Sequence, residues 1–177
     1  MAANQSASSV ETRTEGKTLV IETVVNAPKD VVYQCYAESE QLEKWWGPQG
    51  WETKNYMFEF KQGGKWHYCM TCTDKNQGDF FGMESCGLAV FEQIDAPNTI
   101  VYNDSFADKE GNVTNNMPSM TISIEFVEHE GKTKLISSTE FATEEALQQV
   151  VEMGAVEGFT SQLEKLDILV NRLQKNE

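Results

Sequence analysis

The chain has 177 residues and a net charge of −14, from 28 acidic against 14 basic side chains. That length suits one ordinary domain with a real core, and the charge opposes phosphate backbones and anionic membrane surfaces, so nucleic acid is not an expected partner. No stretch approaches the roughly 18 consecutive apolar residues of a membrane span, so membrane insertion is not expected either.

Residues 1–16 are rich in Ser, Thr, Gln and Glu and lack the apolar core of a secretory signal. They read as a flexible polar tail, with a single domain from 17 to 177 and a cytoplasmic location. Leu19 to Val25 is a β-branched run and predicts a strand. Asn26-Ala27-Pro28 ends it and opens a short helix, whose apolar face is Val32, Cys35 and Tyr36. A second short helix, capped by Ser39, stops at Trp45-Trp46-Gly47-Pro48, where the glycine and proline cannot continue it.

From Trp51 the pattern turns to period two. Tyr56, Phe58 and Phe60 alternate with Asn55, Met57 and Glu59, and Gln62-Gly63-Gly64 is a turn. Trp66, Tyr68 and Met70 form the next inward set, with His67 and Cys69 facing outward. A strand region from Asp79 to Ile94 contains Gly82 and Gly87, which predict bulges or bending. Ile100, Tyr102 and Phe106 mark the following strand, and Asp108 to Pro118 is a polar loop. Met120, Ile122, Ile124 and Phe126 give a strand with one buried face. Leu135, Ser137, Thr139 and Phe141 give the last strand.

Thr143 to about Leu173 reads as one amphipathic helix, with Val156, Phe159, Leu163, Leu166 and Val170 as its apolar stripe. Thr143 is its N-cap, and Glu144 and Glu145 suit the positive helix end. Gly154 and Gly158 lie inside this pattern, although each costs about 1 kcal/mol relative to Ala. They predict a kink or close packing against the sheet, or alternatively a helix face thinned for a ligand. Consecutive strands joined by short turns make an antiparallel meander, which must curl around the one long helix. The fold class is therefore α+β, with about six or seven strands and two short helices after the first.

Candidate chemistry is sparse. Four cysteines (Cys35, Cys69, Cys72 and Cys86) without an export signal are expected to be free thiols. Cys69-Met-Thr-Cys72 is a CxxC motif at a strand end, where neither a second ligand pair nor a helix N-terminus supports zinc or redox work. No metal site, no cofactor and no catalytic constellation is expected; G-x-S-x-G, H-E-x-x-H and Gly-rich phosphate loops are all missing. His67 and His129 are expected on the surface. Glu84, Asp104 and Glu140 lie in or near strands, and one of them pointing inward would be a base for a cyclase-like reaction.

Four motifs together resemble one known family. They are Asn26-Ala27-Pro28-Lys29-Asp30-Val31-Val32, Trp45-Trp46-Gly47-Pro48, Gly63-Gly64-Lys65-Trp66 and Gly154-Ala155-Val156-Glu157-Gly158-Phe159. From about Lys17 to Leu173 the chain is similar to the family of the C-terminal domain of the activator of the heat-shock protein 90 ATPase. That family lies within the START-like (SRPBCC, birch-pollen-allergen-like) superfamily.

The resemblance implies a helix-grip fold, with a mostly apolar cavity between sheet and helix. It also implies a ligand that is lipid-like or polyketide-like, without an assigned reaction. The eukaryotic co-chaperone has a separate N-terminal domain that supplies much of its chaperone contact. Residues 1–16 are the only ones ahead of the matched region here, so chaperone stimulation is the secondary expectation. The cavity-lining candidates are Trp46, Trp66, Tyr68, Met70, Tyr102, Phe106, Met120, Ile122, Ser137, Thr139, Phe159 and Leu163. A small apolar ligand is the leading partner, a chaperone or other protein the alternative, and a cyclase-type enzyme the third reading. The oligomeric state is not readable from the sequence.

Overall fold

The computed structural model describes residues 10–114 and 119–175. Eight antiparallel strands form one sheet in the order β1-β2-β8-β7-β6-β5-β4-β3. They are β1 (Glu11–Glu15), β2 (Thr18–Val25), β3 (Trp51–Phe58), β4 (Lys65–Cys72), β5 (Glu84–Asp95), β6 (Thr99–Ala107), β7 (Met120–His129) and β8 (Lys132–Glu140). The helices are α1 (Lys29–Ala37), α2 (Ser39–Trp45), α3 (Glu144–Glu152) and α4 (Ala155–Lys175). This is the expected α+β helix-grip arrangement, a curved sheet holding a long C-terminal helix.

The strand count exceeds the expectation because Glu11–Glu15, read as polar tail, pairs with β2 as an edge strand. All five of its residues are exposed, so there was no apolar alternation to betray it. Its tie is the antiparallel backbone ladder to β2, with one ion pair across it, Arg13 to Glu22 at 2.6 Å; Arg13 also bridges Glu15 within β1 at 2.7 Å. Residues 1–9 of the expected tail, and 115–118 of the expected polar loop, lie outside the described residues.

Period two places Ile122, Ile124 and Phe126 of β7 and Leu135 and Ser137 of β8 on the concave face, all buried. Helix α4 answers with Leu163, Leu166, Leu169 and Val170. Helices α1 and α2 plug one end of the concave face. There Trp45 is fully buried, its ring centroid 4.8 Å from that of Tyr36, and its indole N–H donates to the Cys35 carbonyl at 3.0 Å.

The single long helix expected from Thr143 is two helices. Thr143 does cap the first, accepting from the Ala146 N–H at 3.0 Å. Gly154, at φ +92°, then breaks the run before α4 begins. A left-handed φ is open to glycine and costly for other residues, so the kink reading holds at this position.

Four further expectations are corrected. The strand expected from Asp79 begins at Glu84, since Lys75–Phe80 forms a short 3₁₀ stretch. Within β5 the register shifts between Phe91 and Gln93 rather than at Gly87. Cys69 and Cys86 are joined in a disulfide, because the β4–β5 register sets them directly opposite each other. Cys35 and Cys72 are free and buried. His67 does face away from the helix, but it is buried under the turn after β6, with its Nε2 3.0 Å from the Asp108 carbonyl oxygen. His129 is exposed at the end of β7.

Candidate functional site

The concave face is filled at one end and open at the other. Toward the start of α4 a cavity of about 330 Å³ opens between the helix and strands β2, β4, β5, β6, β7 and β8. An inner space of about 150 Å³ shares Trp46, Asp104, Met120, Ser137, Thr139, Phe159 and Gln162 with it and reaches Tyr36 and Ile124. The combined size falls at the lower end of the range for small-molecule pockets, about 300–1,000 Å³.

The walls follow from strand alternation. Strand β4 presents Tyr68 and Met70; β6 presents Tyr102 and Asp104 inward and Phe106 at the rim. Strand β7 adds Met120 and Ile122, and β8 adds the hydroxyls of Ser137 and Thr139. Trp46 covers one side from the loop after α2, and Phe159 covers it from α4. Phe106 keeps 38% of its surface exposed, which marks the mouth. Two of the expected residues do not line either space. Trp66 packs into an aromatic cluster, 4.9 Å from Trp46 and 5.6 Å from Tyr102 between ring centroids, and donates to Asn55 at 2.8 Å. Leu163 sits deeper in the core beside the closed end.

Residues that the sequence pattern passed over complete the wall. Leu19 and Ile21 come from β2, and Ser85, Cys86 and Gly87 from β5. Gly87 is where the backbone needs a bare Cα: a Cβ there would overlap the Tyr68 hydroxyl. With that space free, Tyr68 lies across β5 and donates to Asp104 Oδ2 at 2.8 Å. Gly158 also lines the cavity; a Cβ there would meet only Pro48 at 3.9 Å, so this glycine widens the pocket rather than admitting close packing.

Of the three strand carboxylates, only Asp104 points inward; Glu84 and Glu140 are exposed. Asp104 continues the inward series of Ile100 and Tyr102, so its placement was legible from period two. Burial pushes its carboxyl up to about 6, with hydrogen bonding from Tyr68 and from the Ser105 backbone N–H pulling the other way. Burial raises the Tyr68, Tyr102 and Tyr36 phenols in turn, leaving them neutral.

Gln162, one turn beyond Gly158 on α4, is 6% exposed; its Oε1 accepts from the Gly47 N–H at 2.8 Å. That bond, with Lys165 Nζ on the Gly47 and Trp51 carbonyls at 3.1 and 3.2 Å, straps α4 to the WWGP loop. Asp104 Oδ1, Gln162 Nε2 and the Tyr36 hydroxyl are buried without a hydrogen-bond partner.

The Cys69 and Cys86 sulfurs and a Glu84 carboxylate oxygen lie within 4.8 Å of one another. Both sulfurs are consumed by their mutual bond, so the cluster offers a metal no thiolate in this state. Among the described residues no helix is long and apolar enough to cross a membrane.

Three comparisons place the chain. No curated protein matches it. Among solved structures, one from Mycobacterium smegmatis is 32% identical, with 90% of this chain and 94% of that one covered at a TM-score of 0.78. One from Staphylococcus epidermidis is also 32% identical, covering 91% and 93% at a TM-score of 0.79. One from Arthrobacter aurescens is 28% identical, covering 94% and 92% at a TM-score of 0.82. The model of one family, described as activator of Hsp90 ATPase homolog 1-like protein, matches residues 26–171. With most of its length matched and its helix-grip fold in hand, the chain belongs to the activator of Hsp90 ATPase homolog 1-like family.

Proposed function

We propose that this protein binds a small, largely apolar molecule in the cavity between its sheet and α4. The observation that carries the reading is the unfilled open end of the concave face, walled by Met70, Met120, Trp46 and Phe159. A protein stabilised by a single core leaves such a space at a cost, since unfilled apolar volume forfeits packing energy. Methionine and aromatic walls suit an adaptable apolar guest. Native mass spectrometry of the protein as purified from cells, before and after denaturation, tests this. A small molecule released on denaturation is the expected result. A bare protein mass, with no thermal shift across fatty acids, sterols and flavonoids, would overturn it.

One observation favours a second reading. Asp104 is a buried, cavity-facing carboxyl paired with a tyrosine and titrating near neutrality, which is the arrangement a general base needs. A cyclase- or hydratase-type reaction is therefore the alternative. The protein-interaction reading, with a chaperone as partner, rests on the family name alone, and the cavity gives it no support.

A further inference from the structure

Resting on the cavity reading, we infer that the ligand carries a neutral hydroxyl head, an alcohol or phenol, which seats between Asp104 Oδ1 and Gln162 Nε2. Both atoms belong to side chains that line both parts of the cavity, both side chains are more than nine-tenths buried, and neither atom has a partner. A buried polar atom left unmade costs about 1–3 kcal/mol, so each is a standing demand for a complementary group.

The demand is specific in sign. Gln162 Oε1 is committed to the Gly47 N–H, so the atom left without a partner, Nε2, is a donor. Tyr68 occupies Asp104 Oδ2, so the free Oδ1 of the ionised carboxylate is an acceptor. A hydroxyl donates one hydrogen bond and accepts others, and thereby meets both.

Other heads fail one half of the pair. An ammonium donates to Asp104 and offers nothing to the Gln162 N–H. A carboxylate accepts from Gln162 but faces Asp104 without a counter-ion, because none of the described residues lining either space is Lys, Arg or His. The Tyr36 hydroxyl, also unpartnered, belongs to a side chain that lines the inner space. A fatty-acid head would set a second carboxylate against Asp104, while a hydroxylated body suits the Trp46, Met120 and Phe159 walls.

The test is a series that varies only the head: naphthalene, 2-naphthol, 2-naphthoate and 2-naphthylmethylammonium, titrated at pH 7.5 by calorimetry and tryptophan fluorescence. The wild type is expected to bind 2-naphthol about tenfold or more tighter than naphthalene, as a hydrogen bond to a charged group allows. The other two heads are expected to bind more weakly than 2-naphthol, each leaving one of the two groups unmet. Asp104→Asn puts a second N–H against Gln162 and should erase the 2-naphthol preference; Gln162→Met should reduce it. Should either variant misfold, the ranking in the wild type still decides.

Equal affinity for naphthalene and 2-naphthol, with Gly158→Leu weakening both, would overturn the hydroxyl assignment and leave the cavity reading intact. A preference for the naphthoate or the ammonium would overturn the assignment alone. No binding by any of the four would overturn both.

Discussion

The two ends of the concave face are built from the same sheet and the same helix, yet one is solid and the other hollow. At the closed end, α1 and α2 insert Tyr36, Leu42 and Trp45 between the sheet and Leu166 and Val170 of α4. At the open end α3 adds only Val150 to the wall, and α4 sets the small residues Ala155 and Gly158 beside Phe159 and Gln162. Trp45 at the closed end satisfies its N–H on Cys35, while Asp104 Oδ1 and Gln162 Nε2 are left without a partner on side chains that line the hollow. Buried atoms without a partner also occur away from the hollow, at Tyr33 and Asp167. Stability is concentrated where packing is complete, and chemistry where it is not.

The largest test of that contrast is Trp45→Ala, which should cost about 4 kcal/mol, because a large fully buried side chain leaves a cavity its neighbours cannot close. Phe159→Ala, on the hollow side, should cost about 1 kcal/mol or less, since it borders space already empty. Guanidinium denaturation of the two variants measures both. Equal losses would mean that the hollow end is as tightly packed as the solid one.

The rim is held by the Cys69–Cys86 bond, which closes a loop of sequence separation 17. The Cys69→Ala/Cys86→Ala double variant, or reduction, should lower stability by about 3 kcal/mol on the chain-entropy estimate. Denaturation curves with and without reductant check it; no change would place the two thiols apart in solution.

Next comes the buried carboxyl. The folded state raises Asp104 from 3.8 to about 6, so the native protein binds that proton more tightly than the unfolded chain. The resulting stability is fully present below about pH 3.8 and is lost as pH rises through about 6. Wild type should therefore lose about 2 kcal/mol relative to Asp104→Asn between pH 4.5 and 7.5. Asp167, also raised to about 6 by burial, acts with the same sign in both proteins and cancels in the difference. Parallel pH curves for the two proteins would mean that Asp104 is solvated.

The smallest effects are the most pointed. Gly158→Ala should stabilise α4 by about 0.5–1 kcal/mol while narrowing the mouth. Gly154→Ala should destabilise by about 1 kcal/mol or more, because its φ of +92° suits no side chain. Thermal melts of both separate two glycines that look alike in the sequence.

Much of the site was legible. Period two set Tyr68, Met70, Tyr102, Met120, Ile122, Ser137 and Thr139 facing inward; the same alternation runs through Asp104, which the sequence alone leaves open with Glu84 and Glu140. It misjudged His67, because facing away from the helix does not mean facing water when a turn folds over the ring. It passed over Gln162, because a polar residue on an apolar stripe looks like a surface position until its partner, the Gly47 N–H, arrives from 115 residues away.

The sequence by itself determined the order of most elements, the concave-facing side of β4, β6, β7 and β8 and the stripe of α4, because alternation and helical period are local properties of the chain. It failed in β3, where a bulge between Asn55 and Met57 turns Tyr56 outward beside His67 while Phe58 packs on Trp66. Tertiary structure decided the rest. It fixed which of two glycines bends the helix and which lines the pocket, that Cys69 meets Cys86, and that β1 exists at all. It also decided that the helix fills one end of the sheet and not the other. Each of these depends on register and on the approach of segments far apart in the chain, which no local period encodes.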